Sequence, residues 1–190
     1  MRYIFFAFLV ILGVNGTSVP LRTYRMEQDF VMVLKKAGFS VYDNSKKPIY
    51  RIESKSVLTT QFDLVVEPSK DVIGRLEAKP FSLSPNISLF NSKMNKWING
   101  TLYRHITIMN YEYNLKFNGE EIFVERRTFP TRTRFRTESR HGAILAEFKR
   151  KYYLGFIPSS PKKFNVEIYS NTFPDELYLL IQTWIEAWKK

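Results

Sequence analysis

The C-terminal segment, residues 174–190, constrains the fold more than any other part of this sequence. Its core, LYLLIQTWIEAW, is apolar on nearly every face of a helix, and a helix of that kind is buried on all sides. Pro174 suits a first helical position, and Asp175 and Glu176 place negative charge in the first turn. The segment would be about 25 Å long with polar interruptions, which disfavours a membrane span. The rest of the chain must therefore cover it, either as a closed β-sheet around it or as one face of an open sheet.

The residues that precede this segment have the pattern of a β-protein. From Phe39 onward, short alternating runs are separated by turn residues, which is typical of a sandwich or barrel. Residues 39–42 and 49–53 are predicted to form one hairpin, and residues 62–67 and 72–79 a second. Further strands are predicted in AILAEFKRK, YYLGFIP and FNVEIYS. Residues 26–38 fit either a helix that ends at Gly38 or a strand through FVMVL.

One hairpin is predicted in detail. YEYNLKF and EEIFVER flank Asn118-Gly119, a dipeptide that accepts the positive φ angles of a type I′ turn. A two-residue loop fixes the register, and the alternation then predicts the buried face. The expected pairs are Phe117 with Glu120, Leu115 with Ile122 and Tyr113 with Val124, with Lys116 opposite Glu121 on the solvated face.

The N-terminus has the layout of a secretory signal. Arg2 is followed by an apolar run, residues 3–14, and then by small or turn-forming residues. Twelve apolar residues are too few to span a bilayer, which takes roughly 20. We expect cleavage after Gly16 and secretion of the mature chain, with an uncleaved anchor or a buried N-terminal strand as the alternative. Loss of 16 residues, including Arg2, leaves 174 residues and a net charge of +10. The predicted organisation is therefore a signal peptide at 1–16, an N-terminal segment at 17–38 and one domain at 39–190.

Secretion gives meaning to two Asn-x-Ser/Thr triplets, at Asn86 and Asn99, in a turn-rich stretch at 82–101. We expect both to be exposed and to be glycosylation sites. The chain has no Cys, so an exported fold cannot be held by disulfides and must rely on core packing. Trp97, between the two triplets, is expected to pack onto the barrel as a lid or to stack on a ligand.

Four segments together resemble the tubby C-terminal-like superfamily, which includes the LURP-one-related proteins and the phospholipid scramblases. They are FSVYDNSKKPIYRIES, FDLVVEPSKDVIGRLEAK, GAILAEFKRK and FNVEIYSNTFPDELYLLIQTWIEA. The resemblance implies a closed antiparallel barrel of about twelve strands around a buried C-terminal helix, with FVMVL as a first strand. The tubby domain binds phosphoinositides through basic side chains on the barrel wall. Those positions do not align with this sequence, and neither the Cys-rich lipidation sites nor the acidic calcium segment of the scramblases is present.

The sharpest local functional signal is RRTFPTRTRFRTESR at 126–140, which contains six Arg. In a strand, Arg132, Arg134 and Arg136 project from one side about 6.6 Å apart, a row suited to phosphate, sulfate or carboxylate groups. The alternative is a solvated, charged edge strand that resists edge-to-edge pairing. Lys149-Arg150-Lys151 and Lys162-Lys163 would extend the positive surface if their strands lie beside this one.

Catalytic signals are weak throughout the sequence. No nucleophile elbow, zinc-protease motif, phosphate loop or EF-hand loop occurs, and His105 and His141 stand alone without obvious partners. We therefore predict no enzyme activity, cofactor or metal. The expectation is a secreted, monomeric binding module for an anionic lipid surface or acidic glycan, with an extracellular structural or protein-interaction domain as the alternative. A net charge of +11 also suits nucleic acid, but export counts against that partner.

Overall fold

The structure is a computed structural model that describes residues 19–29, 38–55, 60–79, 84–106, 111–151 and 161–187. Within these residues, twelve antiparallel strands form a closed barrel in which each strand lies beside its neighbours in sequence, and β1 closes the ring between β2 and β12. This confirms the predicted closed antiparallel barrel. The elements are β1 Arg22–Gln28, β2 Phe39–Tyr42, β3 Pro48–Ser54, β4 Thr60–Val66, β5 Val72–Ala78, β6 Asn86–Asn91, β7 Lys96–Ile106, β8 Tyr111–Phe117, β9 Glu120–Arg127, β10 Arg132–Thr137, β11 Ile144–Arg150, β12 Lys163–Ile168 and α1 Asp175–Ala187.

Helix α1 runs through the interior of this barrel. Its residues from 177 to 186 are all buried, and strands on opposite sides of the ring contact it. Phe135 of β10 meets the ring of Tyr178 with centroids 5.0 Å apart. On the other side, Gly74 of β5 packs so closely against the helix that a Cβ there would lie 2.9 Å from Leu180 Cδ1, and the leucine would have to shift. The prediction of an enclosed helix is confirmed, and the open-sheet alternative is wrong.

The acidic start of α1 is tied to the barrel wall by hydrogen bonds. Arg22 donates to both carboxylate oxygens of Asp175, from Nε at 2.7 Å and from Nη2 at 2.8 Å. The Tyr24 hydroxyl donates to the same carboxylate at 2.7 Å, and the Tyr50 hydroxyl donates to Glu176 at 2.7 Å. The two carboxylates therefore fix the helix start to β1 and β3, in addition to their interaction with the helix dipole.

The Asn-Gly hairpin forms in the predicted register. Asn118 and Gly119 have φ angles of 52° and 83°, as a type I′ turn requires. Lys116 Nζ lies 2.9 Å from Glu121 on the solvated face. All three predicted pairs are present, Phe117 with Glu120, Leu115 with Ile122 and Tyr113 with Val124.

The N-terminal part of the barrel differs in detail from the sequence interpretation. Residues 17–38 supply β1 to the ring, and Met26 is fully buried within that strand. The helical interpretation of residues 26–38 is therefore wrong over Met26–Gln28, because these residues pair with both β12 and β2. The predicted strands FVMVL and YYLGFIP, the signal segment 1–16 and the last three residues lie outside the described residues.

Candidate functional site

The predicted arginine row lies on the outer wall of the barrel. Along β10, Thr133 and Phe135 point inward and are 1% and 0% exposed. Arg132, Arg134 and Arg136 alternate with them and point outward. Strand β10 pairs with β9 on one side and β11 on the other. The alternative interpretation, a charged edge strand, is therefore wrong, because β10 has no free edge in the closed ring.

The row is partly neutralised by one carboxylate. Glu147 of β11 accepts a hydrogen bond from Arg134 Nε at 2.6 Å. Arg132 Nε lies 3.3 Å from the same carboxylate and Lys149 Nζ 3.1 Å from it. Burial raises the pKa of Glu147, but hydrogen bonds from Arg134 and Lys149 outweigh this, so its pKa lies below the ordinary value. Lys149 Nζ also lies 2.7 Å from Glu167. Three cations are thus paired with two carboxylates, and the group as a whole stays positive.

Arg136 has a different environment from the rest of the row. Its Nη1 donates to the carbonyl oxygen of Gly142 at 2.9 Å, and its Nε is buried without a hydrogen-bond partner among the described residues. Burial, followed by repulsion from Arg134, lowers its pKa. Its guanidinium therefore faces a carbonyl group rather than a carboxylate, which adds to the positive potential of this wall.

Neighbouring strands extend the row into a larger surface, which we call the basic face. Cross-strand pairing places Lys149 beside Arg132, and Lys163 beside Glu27 of β1. Strand alternation sends Arg150 and Lys162 inward instead, so only part of each lysine-rich run contributes. The outward-facing cations are Arg25, Arg127, Arg132, Arg134, Arg136, Lys149 and Lys163, against the carboxylates Glu27, Glu125, Glu147 and Glu167. The described part of this face therefore carries more positive than negative charge.

The two predicted glycosylation sites lie in strands. Asn86 begins β6 and Asn99 lies within β7, so the interpretation of 82–101 as a turn-rich stretch is wrong over both strands. Both side chains are exposed on the outer wall. Ser88 Oγ donates to Asn99 Oδ1 at 2.8 Å, and Thr101 Oγ1 lies 3.4 Å from Asn86 Oδ1. The two asparagines are therefore close to each other on adjacent strands, on a wall separate from the basic face.

Trp97 also lies on the outer wall, in β7, and is 37% exposed. Its ring packs against Phe90 with centroids 5.6 Å apart, and the Arg75 guanidinium lies 5.0 Å from its centroid. The half-buried ring fits the expected packing onto the barrel, although it covers the outer surface and not a barrel mouth. Trp184 is fully buried in the core, as predicted.

A cleft of about 860 Å³ opens at the end of the barrel where α1 begins. It is bounded by the β6–β7 turn, the β8–β9 turn and the segment before the helix. Apolar side chains such as Met94 and Phe173 share its lining with Arg22, Asp175 and Glu176. No sequence pattern predicts this cleft, because the turns that form it lie far apart in the chain.

The two histidines lie on the surface, apart from any cluster of metal-binding side chains. His105 and His141 are both exposed. The described residues contain no group of three or more His, Cys, Asp or Glu side chains that could hold a metal ion. No helix in the described ranges is long and apolar enough to cross a membrane.

A closed twelve-stranded antiparallel barrel around a C-terminal helix places the chain in the class of tubby-like barrels. Its sequence matches the model of the LURP-one-related family over residues 22–180, which includes all twelve strands and the first half of the helix. The chain belongs to the LURP-one-related family. Comparison with curated proteins and comparison with solved structures each found no match.

Proposed function

We propose that the protein is a secreted, non-enzymatic module that binds surfaces rich in phosphate or sulfate groups through its basic face. The observation that carries the proposal is the excess of cations on this face, where Arg132, Arg134 and Lys149 are paired with only two carboxylates, Glu147 and Glu167. A wall built for stability alone would be expected to match its charges, whereas here the cations outnumber the carboxylates. Guanidinium groups bind the oxygens of phosphate and sulfate through paired hydrogen bonds.

The shape of the site favours an extended ligand. The basic face is the convex outer wall of a barrel, and its cations are spread over five strands from β9 to β1. Such a wall can meet many anionic groups at once but encloses none of them. An anionic membrane and a sulfated glycan both display such groups, and long-range attraction by a net charge of +11 would favour either encounter.

The cations of the basic face differ in how well they can reach a ligand. Arg134 is 20% exposed and is held by Glu147, so its role is chiefly to order the wall. Arg132, Lys149 and Arg127 are more exposed, with 32%, 38% and 52% of their side chains accessible. We therefore assign direct contact with the ligand first to these three side chains.

The test is co-sedimentation with vesicles of phosphatidylcholine, with and without phosphatidylserine, and retention on heparin, each over a salt series. The test variant is Arg127→Gln, Arg132→Gln and Lys149→Gln together. Each cation near an anionic surface contributes about 1 kcal/mol, so the triple variant should bind about a hundred-fold more weakly. Vesicle binding alone would select a lipid surface, and heparin binding alone a glycan.

The matched control removes the same charge from the opposite wall. Arg51, Lys55 and Arg75 lie on or beside β3 and β5, and their side chains are 45% to 50% exposed. Their replacement by Gln should leave binding near the wild-type level. Equal losses in both triple variants would indicate net charge alone and would refute the assignment to the basic face. A protein partner that stays bound at high salt would instead favour an interaction domain.

A further inference from the structure

The mouth of the barrel at the C-terminal end of α1 contains an inner basic cluster, formed by Arg104, Arg126, Arg150 and Lys162. Cross-strand partners share a face, so Arg104 points inward with the buried Tyr113, and Arg150 points inward with the buried Phe164. Arg126 continues the inward-facing series of β9, and its side chain is 1% exposed. Lys162 Nζ reaches the helix, at 2.9 Å from Glu186 Oε2.

The carboxylates near Arg104, Arg126 and Lys162 are too few to balance these three cations. Arg126 forms an ion pair with Glu186, whose carboxylate is also paired with Lys162. Asp29 lies at the same end of the barrel, but its carboxylate is engaged by Ser40 and Arg51 on the outer side. Asp175 and Glu176 are at the other end of α1, about 16 Å away along the axis.

The rest of the sequence cannot supply the missing negative side chains. All 18 Asp and Glu residues fall within the described ranges, since residues 1–18, 30–37, 56–59, 80–83, 107–110, 152–160 and 188–190 contain none. The excess of positive charge inside the mouth is therefore a property of the sequence as well as of the structure.

Arg126 also has unused hydrogen-bonding capacity. Its Nε and Nη2 are buried and have no hydrogen-bond partner among the described residues, and the same holds for Thr133 Oγ1, which is opposite Arg126 on β10. Arg104 Nε is likewise buried and unpartnered there, while its guanidinium lies 4.8 Å from the centroid of Tyr111. Buried donors without partners are costly and rare in native proteins. These polar groups belong to inward-facing side chains on the neighbouring strands β7, β9 and β10 at this mouth.

We infer that the inner basic cluster is a binding site for a phosphate- or sulfate-type oxyanion, either a free ion or the anionic group of a larger ligand. Such an anion would accept hydrogen bonds from Arg126 and Arg104 and offset the surplus positive charge beside Glu186. The site is distinct from the basic face, because alternation along the strands places the two sets of cations on opposite sides of the barrel wall. It therefore does not depend on the proposed function.

The test is thermal unfolding of the full mature protein in inorganic phosphate or sulfate, compared with chloride at the same ionic strength. An anion that binds only the folded state raises Tm with a saturable dependence on its concentration. Arg104→Gln removes an inward, partly exposed donor without breaking the Arg126–Glu186 pair, so the fold should be retained. It should require at least about ten-fold more phosphate for the same rise, given the strength of charge-assisted hydrogen bonds.

Two further variants distinguish binding inside the mouth from binding on the outer wall. Arg132→Gln changes the outer wall only and should respond to phosphate as the wild type does. The double variant Arg126→Gln with Glu186→Gln leaves the net charge of the mouth unchanged and, because it removes the Arg126 donors, should lose the phosphate response. Absence of a phosphate- or sulfate-specific rise in the wild type, or an unchanged response in both inner variants, would overturn the inference.

Discussion

The buried ion pair between α1 and β9 leads to a prediction whose sign depends on which partner is changed. Glu186 is fully buried and lies between two cations, Arg126 and Lys162, whose side chains are 1% and 20% exposed. Glu186→Gln removes the negative charge and leaves two cations inside the barrel mouth. Removal of one partner from a buried pair costs about 3–5 kcal/mol, which is a large share of the roughly 5–15 kcal/mol that stabilises a typical domain.

Removal of the cationic partner, Arg126, should lower the free energy of unfolding much less. Arg126→Met leaves Glu186 paired with Lys162 at 2.9 Å, and the methionine can fill much of the volume of the arginine stem. We therefore expect a loss below about 2 kcal/mol in the free energy of unfolding. Comparison of the two variants tests whether Glu186 lies between two cations. In an isolated ion pair, removal of either partner would lower the free energy of unfolding to a similar extent.

The measurement is urea unfolding followed by far-UV circular dichroism and by tryptophan fluorescence, since Trp184 is fully buried in the same helix. Coincident transitions with unchanged m values would make the midpoints comparable as stabilities. A loss for Glu186→Gln no larger than that for Arg126→Met would refute the placement of Glu186 between two cations. Phosphate should be absent from this buffer, so that binding to the inner basic cluster does not mask the difference.

Three further predictions concern pH and processing. The pKa of Glu147 is lowered in the folded protein. Its carboxylate therefore stabilises the fold above the unfolded-state pKa of about 4.3, and this contribution is lost as the pH falls through the folded pKa. In a series of Tm measurements against pH, Glu147→Gln should show a smaller decrease of Tm on the acid side than the wild type. Burial, together with the neighbouring carboxylates, raises the pKa of Tyr24 and Tyr50. Their contribution to stability is therefore complete below about pH 10 and is lost as the pH rises through the folded pKa. Absorbance titration should show that these phenols ionise at higher pH in the native than in the urea-unfolded protein. When the full chain is expressed through a secretory route, we expect a mature protein that begins at residue 17. Asn86→Gln and Asn99→Gln should each lower the intact mass by one glycan. An N-terminus at residue 1, or masses that do not change beyond the substitution itself, would contradict these assignments.

Much of the barrel could be predicted from sequence because its local signals are strong. Asn118-Gly119 fixed one register, and alternation on either side of it identified the buried face correctly. The same rule, extended by one step beyond Val124, places Arg126 on the inner face, although composition alone marks it only as part of a basic run. What alternation cannot supply is the partner, because the pairing of Arg126 with Glu186 depends on the depth and rotation of the helix inside the ring.

The arginine row on the outer wall shows the same limit of prediction from sequence. Its common orientation follows from the two-residue period of a strand, and the structure has Arg132, Arg134 and Arg136 on one wall. Neutralisation by Glu147 and the central position of β10 depend on the pairing of strands, which a sequence pattern does not encode locally. The edge-strand interpretation was wrong for this reason, and so was the interpretation of the segment around Asn86 and Asn99 as a turn-rich stretch.

The arginine-rich segment at 126–136 contributes side chains to both proposed anion sites, because the strand is pleated. Adjacent residues project to opposite faces, so Arg126 enters the barrel while Arg127 is 52% exposed on the outer wall. The β9–β10 connection then returns the chain antiparallel, with Thr133 opposite Arg126 inside and Arg132 opposite Arg127 outside. Substitutions one residue apart should therefore separate the two activities: Arg127→Gln should weaken binding to anionic surfaces and leave the phosphate response intact. Arg126→Gln with Glu186→Gln should lose the phosphate response and leave binding to anionic surfaces intact.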